Sequence, residues 1–467
     1  MNLLNDFILK FNDILWTYIL IAMLLILGIY FSFKTKFVQF RYIKEMFRLL
    51  GDGFSADKKN GSISSFQAFC ISTASRVGTG NLAGIAIAIS VGGPGAIFWM
   101  WLIALIGAAS SFVESTLAQI YKEKAEDGSF RGGPAYYMQK GLNKRWMGVI
   151  FSILITIAFG LIFNSVQSNT ITLAFKDAFG VDRLIDGIIL TLITLFVIFG
   201  GVHRVAKVSE VIVPIMALAY IAVALFILII NITEVPSILK LIIENAFGFK
   251  EFVGGTLGGA LLMGIKRGLF SNEAGMGSAP NAAATADVSH PVKQGLIQTL
   301  GVFTDTIIIC SCTAFIILLS GVNYLDKSVT GIQLTQRALS TQVGPWGNTF
   351  IAICILLFAF SSIVGNYYYG ESNIEFLSKN RVILYVYRFL VVGMVFFGSI
   401  AEINIVWNLA DVFMGLMAVT NLIAITLLSK QAFLALKDYQ DQKRSGIKEP
   451  LFKASNIPGL KNVTEWK

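Results

Sequence analysis

Apolar residues along this chain come in long runs parted by short polar stretches. Each run is near the length of about 20 residues that carries a helix across about 30 Å of hydrocarbon. The pattern predicts eleven such segments, at 15–33, 65–90, 94–121, 147–175, 184–201, 207–231, 253–285, 291–320, 346–370, 381–399 and 403–429. Three shorter stretches, near 36–50, 236–247 and 332–342, predict amphipathic or surface helices. The first run is too long for the apolar core of a signal peptide. The fourteen residues before it hold one lysine and two aspartates, so the segment stays as a membrane span.

Composition agrees with the pattern. Of 467 residues, 55% are hydrophobic and 14% charged, where a soluble protein carries about a quarter charged. Too little polar surface exists to coat a water-soluble domain. Cys70, Cys310, Cys312 and Cys354 all fall inside apolar runs and read as small core residues, not a disulfide framework. His203 and His290 lie between runs, and no spacing suits a metal site.

Lysine and arginine set the expected orientation. With the N-terminus outside, the segments on the cytoplasmic side carry 26 of these residues and the outer segments 7. The formal net charge of +9 is this bias. It faces the anionic inner leaflet of the bilayer, and no nucleic-acid partner is needed to explain it. No obligate protein partner is evident. The carboxyl tail is expected in the cytoplasm, in a bacterial-type inner membrane.

Two spans break the rules for ordinary membrane helices. The second holds Arg76-Val77-Gly78-Thr79-Gly80-Asn81 at its middle. The seventh holds Lys266-Arg267-Gly268 through Glu273-Ala274-Gly275-Met276-Gly277. Glycine weakens a helix by about 1 kcal/mol relative to alanine, and a charge at the bilayer centre costs about 2.5–3.5 kcal/mol or more. Both segments make sense if the helix unwinds there and lines a cavity. Counted after the first span, the breaks fall in the first and sixth helices, corresponding members of two five-helix halves of opposite orientation. That arrangement points to a transport site. The expected division is 1–64, an N-terminal helix and linker; 65–231, a first repeat broken at 77–81; 232–429, a second repeat broken at 268–277; and 430–467, a tail. Half-helix N-termini suit a carboxylate, and hydroxyl and amide oxygens of Thr79, Asn81 and Ser271 suit sodium. Phe270 and Met276 offer apolar wall.

These residues resemble the alanine or glycine:cation symporters. The resemblance covers nearly the whole chain and is densest from Gly264 to Pro280, continuing through His290-Pro291-Val292-Lys293-Gln294-Gly295 to Thr304-Asp305-Thr306. Val77 to Asn81, Arg131-Gly132-Gly133-Pro134 and Tyr367-Tyr368-Tyr369-Gly370-Glu371 are further signatures. It implies a leucine-transporter-type fold with one extra N-terminal helix, all-α, and import of alanine, glycine or a close relative coupled to sodium or protons. By position it implies a substrate site of Gly78, Thr79, Asn81, Gln167, Phe270 and Met276. It also implies a sodium site of the Ala74 and Val77 carbonyls with the hydroxyls of Ser361 and Ser362. Many relatives resembling alanine carriers have tryptophan where this chain has Asn366, which enlarges or polarises the expected pocket and keeps glutamine open as substrate.

The remaining intramembrane charges, Arg76, Lys266 and Arg267 against Glu114, Glu273, Asp305 and Asp411, are expected to form paired networks that brace or gate the bundle, with Asp305 also a candidate proton carrier. No cofactor is implied beyond sodium as coupling ion. A channel would need symmetric rings of ligands, and an enzyme a nucleophile–base set or metal; the sequence shows neither. A transporter-like sensor would use the same pocket.

Overall fold

A computed structural model describes residues 9–55, 62–125, 128–248, 257–326 and 328–466. Residues 253–256 of the seventh predicted span, Lys58, Lys59 and the side chain of His203 lie outside the described residues.

All eleven predicted spans correspond to helices. Among the described residues, eight are long and apolar enough to cross in one piece: α1 (Leu9–Lys34), α5 (Gly95–Ile120), α7 (Arg145–Phe179), α9 (Gly201–Ile230), α13 (Pro291–Leu318), α15 (Trp346–Leu377), α16 (Arg381–Ile400) and α17 (Ile403–Arg444). A ninth, α8 (Arg183–Ile198), is shorter. The last two are broken: α3 (Ser65–Arg76) with α4 (Gly80–Gly92), and α11 (Leu257–Asn272) with α12 (Ala279–Ala283). The surface helices are α2 (Ile43–Ser55), α6 (Pro134–Lys140), α10 (Val235–Ala246) and α14 (Ile332–Val343). A two-stranded hairpin, β1 (Glu123–Lys124) and β2 (Phe130–Arg131), follows α5.

The helices sort by what covers them. The broken pair packs with α5 and α13, and α7, α8, α15 and α16 pack with one another. Ile185, Ile188, Leu192 and Phe196 of α8 and Val382, Val386 and Phe389 of α16 are exposed, the face a spanning helix turns to lipid. The broken segments are instead wholly enclosed. Every residue from Ala68 to Ile85 is buried, as is every residue from Arg267 to Ala286.

α3 starts on a capping box, in which Ser64 and Gln67 bond each other's backbone N–H groups. It ends at Val77, which leaves the helix at φ −82°, ψ 93°. The second opening is shorter than its glycines predict. The helix runs on through Gly268 to Asn272, and only 273–278 is irregular. Glycine does two different jobs here. A Cβ on Gly264 would lie 2.3 Å from the Ala96 carbonyl oxygen, so this glycine lets α11 close onto α5. Gly275 and Gly277 have φ of +85° and +88°, so these two turn the chain.

Candidate functional site

The first break exposes both ends of a helix at membrane depth. Its N–H groups belong to the start of α4, and its carbonyls to the end of α3. Neutral side chains meet two of each. The Gly78 N–H donates to Asn81 Oδ1 at 2.8 Å, and the Thr79 N–H to Gln167 Oε1 at 2.9 Å. On the carbonyl side, Ser362 Oγ lies 2.9 Å from the Ala74 oxygen and 3.3 Å from that of Val77. Ser361 Oγ is 3.5 Å from Ala74 O. The two serines sit on α15, which brings the four groups together through long-range packing against α3. A hydroxyl has one proton to give and keeps its lone pairs. The cluster therefore offers four oxygens of the hard kind that a sodium ion takes. Gly78 is held to glycine, since a Cβ would stand 2.2 Å from Ser362 Oγ and 2.8 Å from Gln167 Oε1.

Around this core the other candidates fall as follows. Phe270 is sandwiched between Phe163 and Trp407, with ring centroids 4.7 Å and 4.8 Å away, and its ring would meet a Cβ on Gly80 at 3.0 Å. Asn81 Nδ2 donates to Asp305 Oδ1 at 2.6 Å, and Ser271 Oγ to Asp305 Oδ2 at 2.7 Å, so Asp305 ties α13 to both broken helices. Asn366 lies four residues beyond Ser362 on α15. Its Oδ1 lies 2.7 Å from Ser75 Oγ, and its Nδ2 is buried without a hydrogen-bond partner. Met276 is buried between Gly275 and Gly277 in the second break.

The second break is capped by a carboxyl group. Glu114 of α5 accepts from the N–H groups of Gly275 and Gly277, each at 3.1 Å, and from Asn421 Nδ2 at 2.7 Å. Tyr137 donates in turn to Asn421. Glu273 accepts from Ser278 Oγ at 2.6 Å and from Ser75 Oγ at 2.8 Å, which links the two breaks.

Of the charged residues, Lys266, Arg267 and Asp411 form a paired network as expected, while Arg76 does not join it. Lys266 Nζ lies 2.8 Å from Asp411 Oδ2, and Arg267 binds the other oxygen of the same carboxylate. Lys266 stands over the Trp16 ring of α1, and Arg267 over Trp407. Trp16 Nε1 also donates to the Asp411 carbonyl. Arg76 instead gives one N–H to the Gln298 carbonyl at 3.2 Å, with its Nε and Nη2 unpartnered. The reason is local supply: the breaks free backbone N–H groups and place serines nearby, so Glu114, Glu273 and Asp305 find neutral donors at contact distance. Glu114 was visible in the sequence as a charge in an apolar run. Asn421 and Trp407 carried no such signal, because one buried amide or indole is unremarkable in a span.

The chain matches the sodium:alanine symporter family over residues 1–454. It is 60% identical over 455 residues to a Bacillus subtilis protein named "Probable sodium/glutamine symporter GlnT", covering 97% of this chain and 94% of that one. It is 57% identical to the B. subtilis amino-acid carrier protein AlsT, over 98% of this chain and 96% of that one. It is also 37% identical to the Methanococcus maripaludis sodium/alanine symporter AgcS, over 94% and 97%. Among solved structures, MhsT in complex with L-phenylalanine superposes with a TM-score of 0.58 at 15% identity, covering 81% of this chain and 93% of that one. A manganese transporter from Eremococcus coleocola gives 0.54 at 13%, over 86% and 82%. These likenesses fix the fold as the leucine-transporter type. The chain is a multi-pass membrane transporter rather than an enzyme, and it belongs to the sodium:alanine symporter family.

Proposed function

We propose that the chain imports a small neutral amino acid, alanine or glycine, together with sodium, by alternating access around the first break. What supports this most is the neutral capping of that break on both sides. The substrate carboxylate takes the N–H groups of Gly78 and Thr79, displacing the amide oxygens of Asn81 and Gln167. Sodium takes the Ala74 and Val77 carbonyls with Ser361 and Ser362. Phe270 and Met276 wall the side chain, and Asn366 borders it. Arg76, Lys266, Arg267 and Glu273 gate or brace the opening, and Asp305 is the group on which a proton could replace sodium. The lysine and arginine bias supports a bacterial-type inner membrane with the N-terminus outside and the tail in the cytoplasm.

A second reading, glutamine as substrate, is favoured by the name of the relative at 60% identity and by the unpartnered Asn366 amide. The test is uptake of radiolabelled alanine into proteoliposomes under an inward sodium gradient, competed by unlabelled amino acids. Accumulation that collapses without the gradient is expected. Binding with no accumulation would make the protein a sensor, and stronger competition by glutamine than by alanine or glycine would select the second reading.

A further inference from the structure

The carboxyl tail beyond α17 is polar, and by sequence it carries no chemistry. In the structure it folds back across the face that the proposed topology puts in the cytoplasm. Residues 450–466 attach there at four places. The Phe452 N–H donates to the Ser289 carbonyl at 2.9 Å, and Ser289 Oγ to the Pro450 carbonyl at 2.9 Å. Asn462 Nδ2 donates to the Lys140 carbonyl at 3.0 Å, after α6. Trp466 Nε1 donates to the Gln119 carbonyl at 2.8 Å, at the end of α5, and the indole is only 8% exposed. Thr464 reaches the Lys122 carbonyl.

What the tail covers is the joint between the two broken helices. Gln119 Nε2 donates to the Ala283 and Ala286 carbonyls at 2.6 Å and 2.9 Å, just past α12. Lys122 Nζ donates to Ala286 O at 2.8 Å and lies 3.9 Å from the Phe130 ring centre and 4.9 Å from that of Trp466. Ala286 pairs in turn with Ile63, and the Asp287 N–H donates to Ile63 O at 3.0 Å, directly before the cap of α3. The order of attachment is thus tail, then α5 end, then α12 end, then α3 start. The substrate can reach the cytoplasm only if the ends of α3 and α12 move apart.

We propose that the tail is an intramolecular latch that holds the cytoplasmic ends of the two broken helices together and must release for the inward-open state to form. This rests on the alternating-access reading above. Its hydrogen bonds go mostly to backbone carbonyls, each netting about 0.5–1.5 kcal/mol, and the buried side chains of Phe452, Ile457 and Trp466 add apolar contact. Burial also pushes the Lys122 ammonium down to about 7, against the pull of Asp287 and Glu465.

The test uses the full-length chain in inside-out vesicles, with Cys310, Cys312 and Cys354 replaced by serine. Cys70, wholly buried on α3, is then the reporter of that helix parting from its neighbours. Trp466→Ala should speed Cys70 alkylation from the cytoplasmic side severalfold and raise turnover per folded molecule. A second variant, Lys140→Cys with Asn462→Cys, joined by a reducible cross-linker, should slow both, with recovery on reduction. Unchanged alkylation in Trp466→Ala, or full turnover in the cross-linked protein, would overturn the latch. Folded protein is counted by size-exclusion chromatography, so a merely destabilised variant is recognised by its loss of material without faster labelling. Alkylation needs no transport. If no neutral amino acid is carried while labelling still responds to the tail, the substrate reading fails and the latch stands.

Discussion

The two breaks both free backbone N–H groups and differ in what caps them. At Gly78 and Thr79 the free N–H groups meet amide oxygens of Asn81 and Gln167; at Gly275 and Gly277 they meet the Glu114 carboxylate. A neutral bond nets about 0.5–1.5 kcal/mol and one to a charged group about 1.5–3 kcal/mol. A substrate carboxylate arriving at the first break exchanges a weaker partner for a stronger one. At the second break it would have to displace a side chain that already bonds two backbone N–H groups and the Asn421 amide. The first is therefore open to exchange and the second is fixed, so the molecule spends its buried carboxylate on holding one opening in shape while the other trades partners.

Moving charge between these two places should break the contrast. Glu114→Ala leaves the Gly275 and Gly277 N–H groups and the Asn421 amide without their acceptor, at about 1–3 kcal/mol for each orphaned donor. Loss of folded protein from the membrane is expected, read as abundance and thermal unfolding in detergent; normal abundance would show that the second break tolerates neutral capping. Ser361→Ala with Ser362→Ala acts on the first break alone. It should leave abundance unchanged while half-maximal sodium for uptake rises severalfold or uptake stops, and an unaltered sodium dependence would move the ion elsewhere.

Asn366→Trp should act more narrowly. The indole fills space beyond a methyl group, so the ratio of alanine to glutamine uptake should rise. An equal fall in both would mean that the larger ring only overpacks the seam with Ser75.

The smallest effect is one of pH, at the tail. Lys122 faces Phe130 of the hairpin, Ala286 and Asp287 of the loop, and Trp466 and Glu465 of the tail. Burial lowers its ammonium to about 7, against the pull of Asp287 and Glu465, so closing the tail releases a proton above that pH. Closure should tighten as pH rises from 7, by at most about tenfold per unit, and stay constant below 7. Tryptic cleavage at exposed Lys461 should slow accordingly between pH 7 and 9, relative to a Lys122→Met control. A pH dependence identical in the control would remove Lys122 from the latch.

Much of this was legible in the sequence because the bilayer imposes length. The eleven runs, the two interruptions and the surface stretches at 236–247 and 332–342 all follow from hydropathy and glycine. The site was legible as far as backbone chemistry goes: a Gly-Thr-Gly in mid-span announces free N–H groups. Two things were not. Composition cannot separate a glycine that turns the chain, such as Gly275, from one that lets helices touch, such as Gly264. The tail was invisible because its anchors are the carbonyls of Gln119, Lys140 and Ser289, groups that every residue possesses. The partners of Glu114 were not legible for a related reason, since it is satisfied by backbone that only the folded turn sets free.

Trp16 bears on how the chain is made. Lys266 and Arg267 share Asp411, and the arginine precedes that aspartate by 144 residues. At about 5–20 residues per second, ribosomal synthesis delivers two positive charges to the membrane roughly 7–30 s before their counter-ion exists. The first helix has long since been inserted by then, and its indole face lies 5.4 Å from the Lys266 nitrogen in the finished protein. An aromatic ring attracts a cation without carrying a charge of its own. The helix that stands outside the two repeats thus gives the nascent chain somewhere to park a lysine while the rest of the transporter is still being translated.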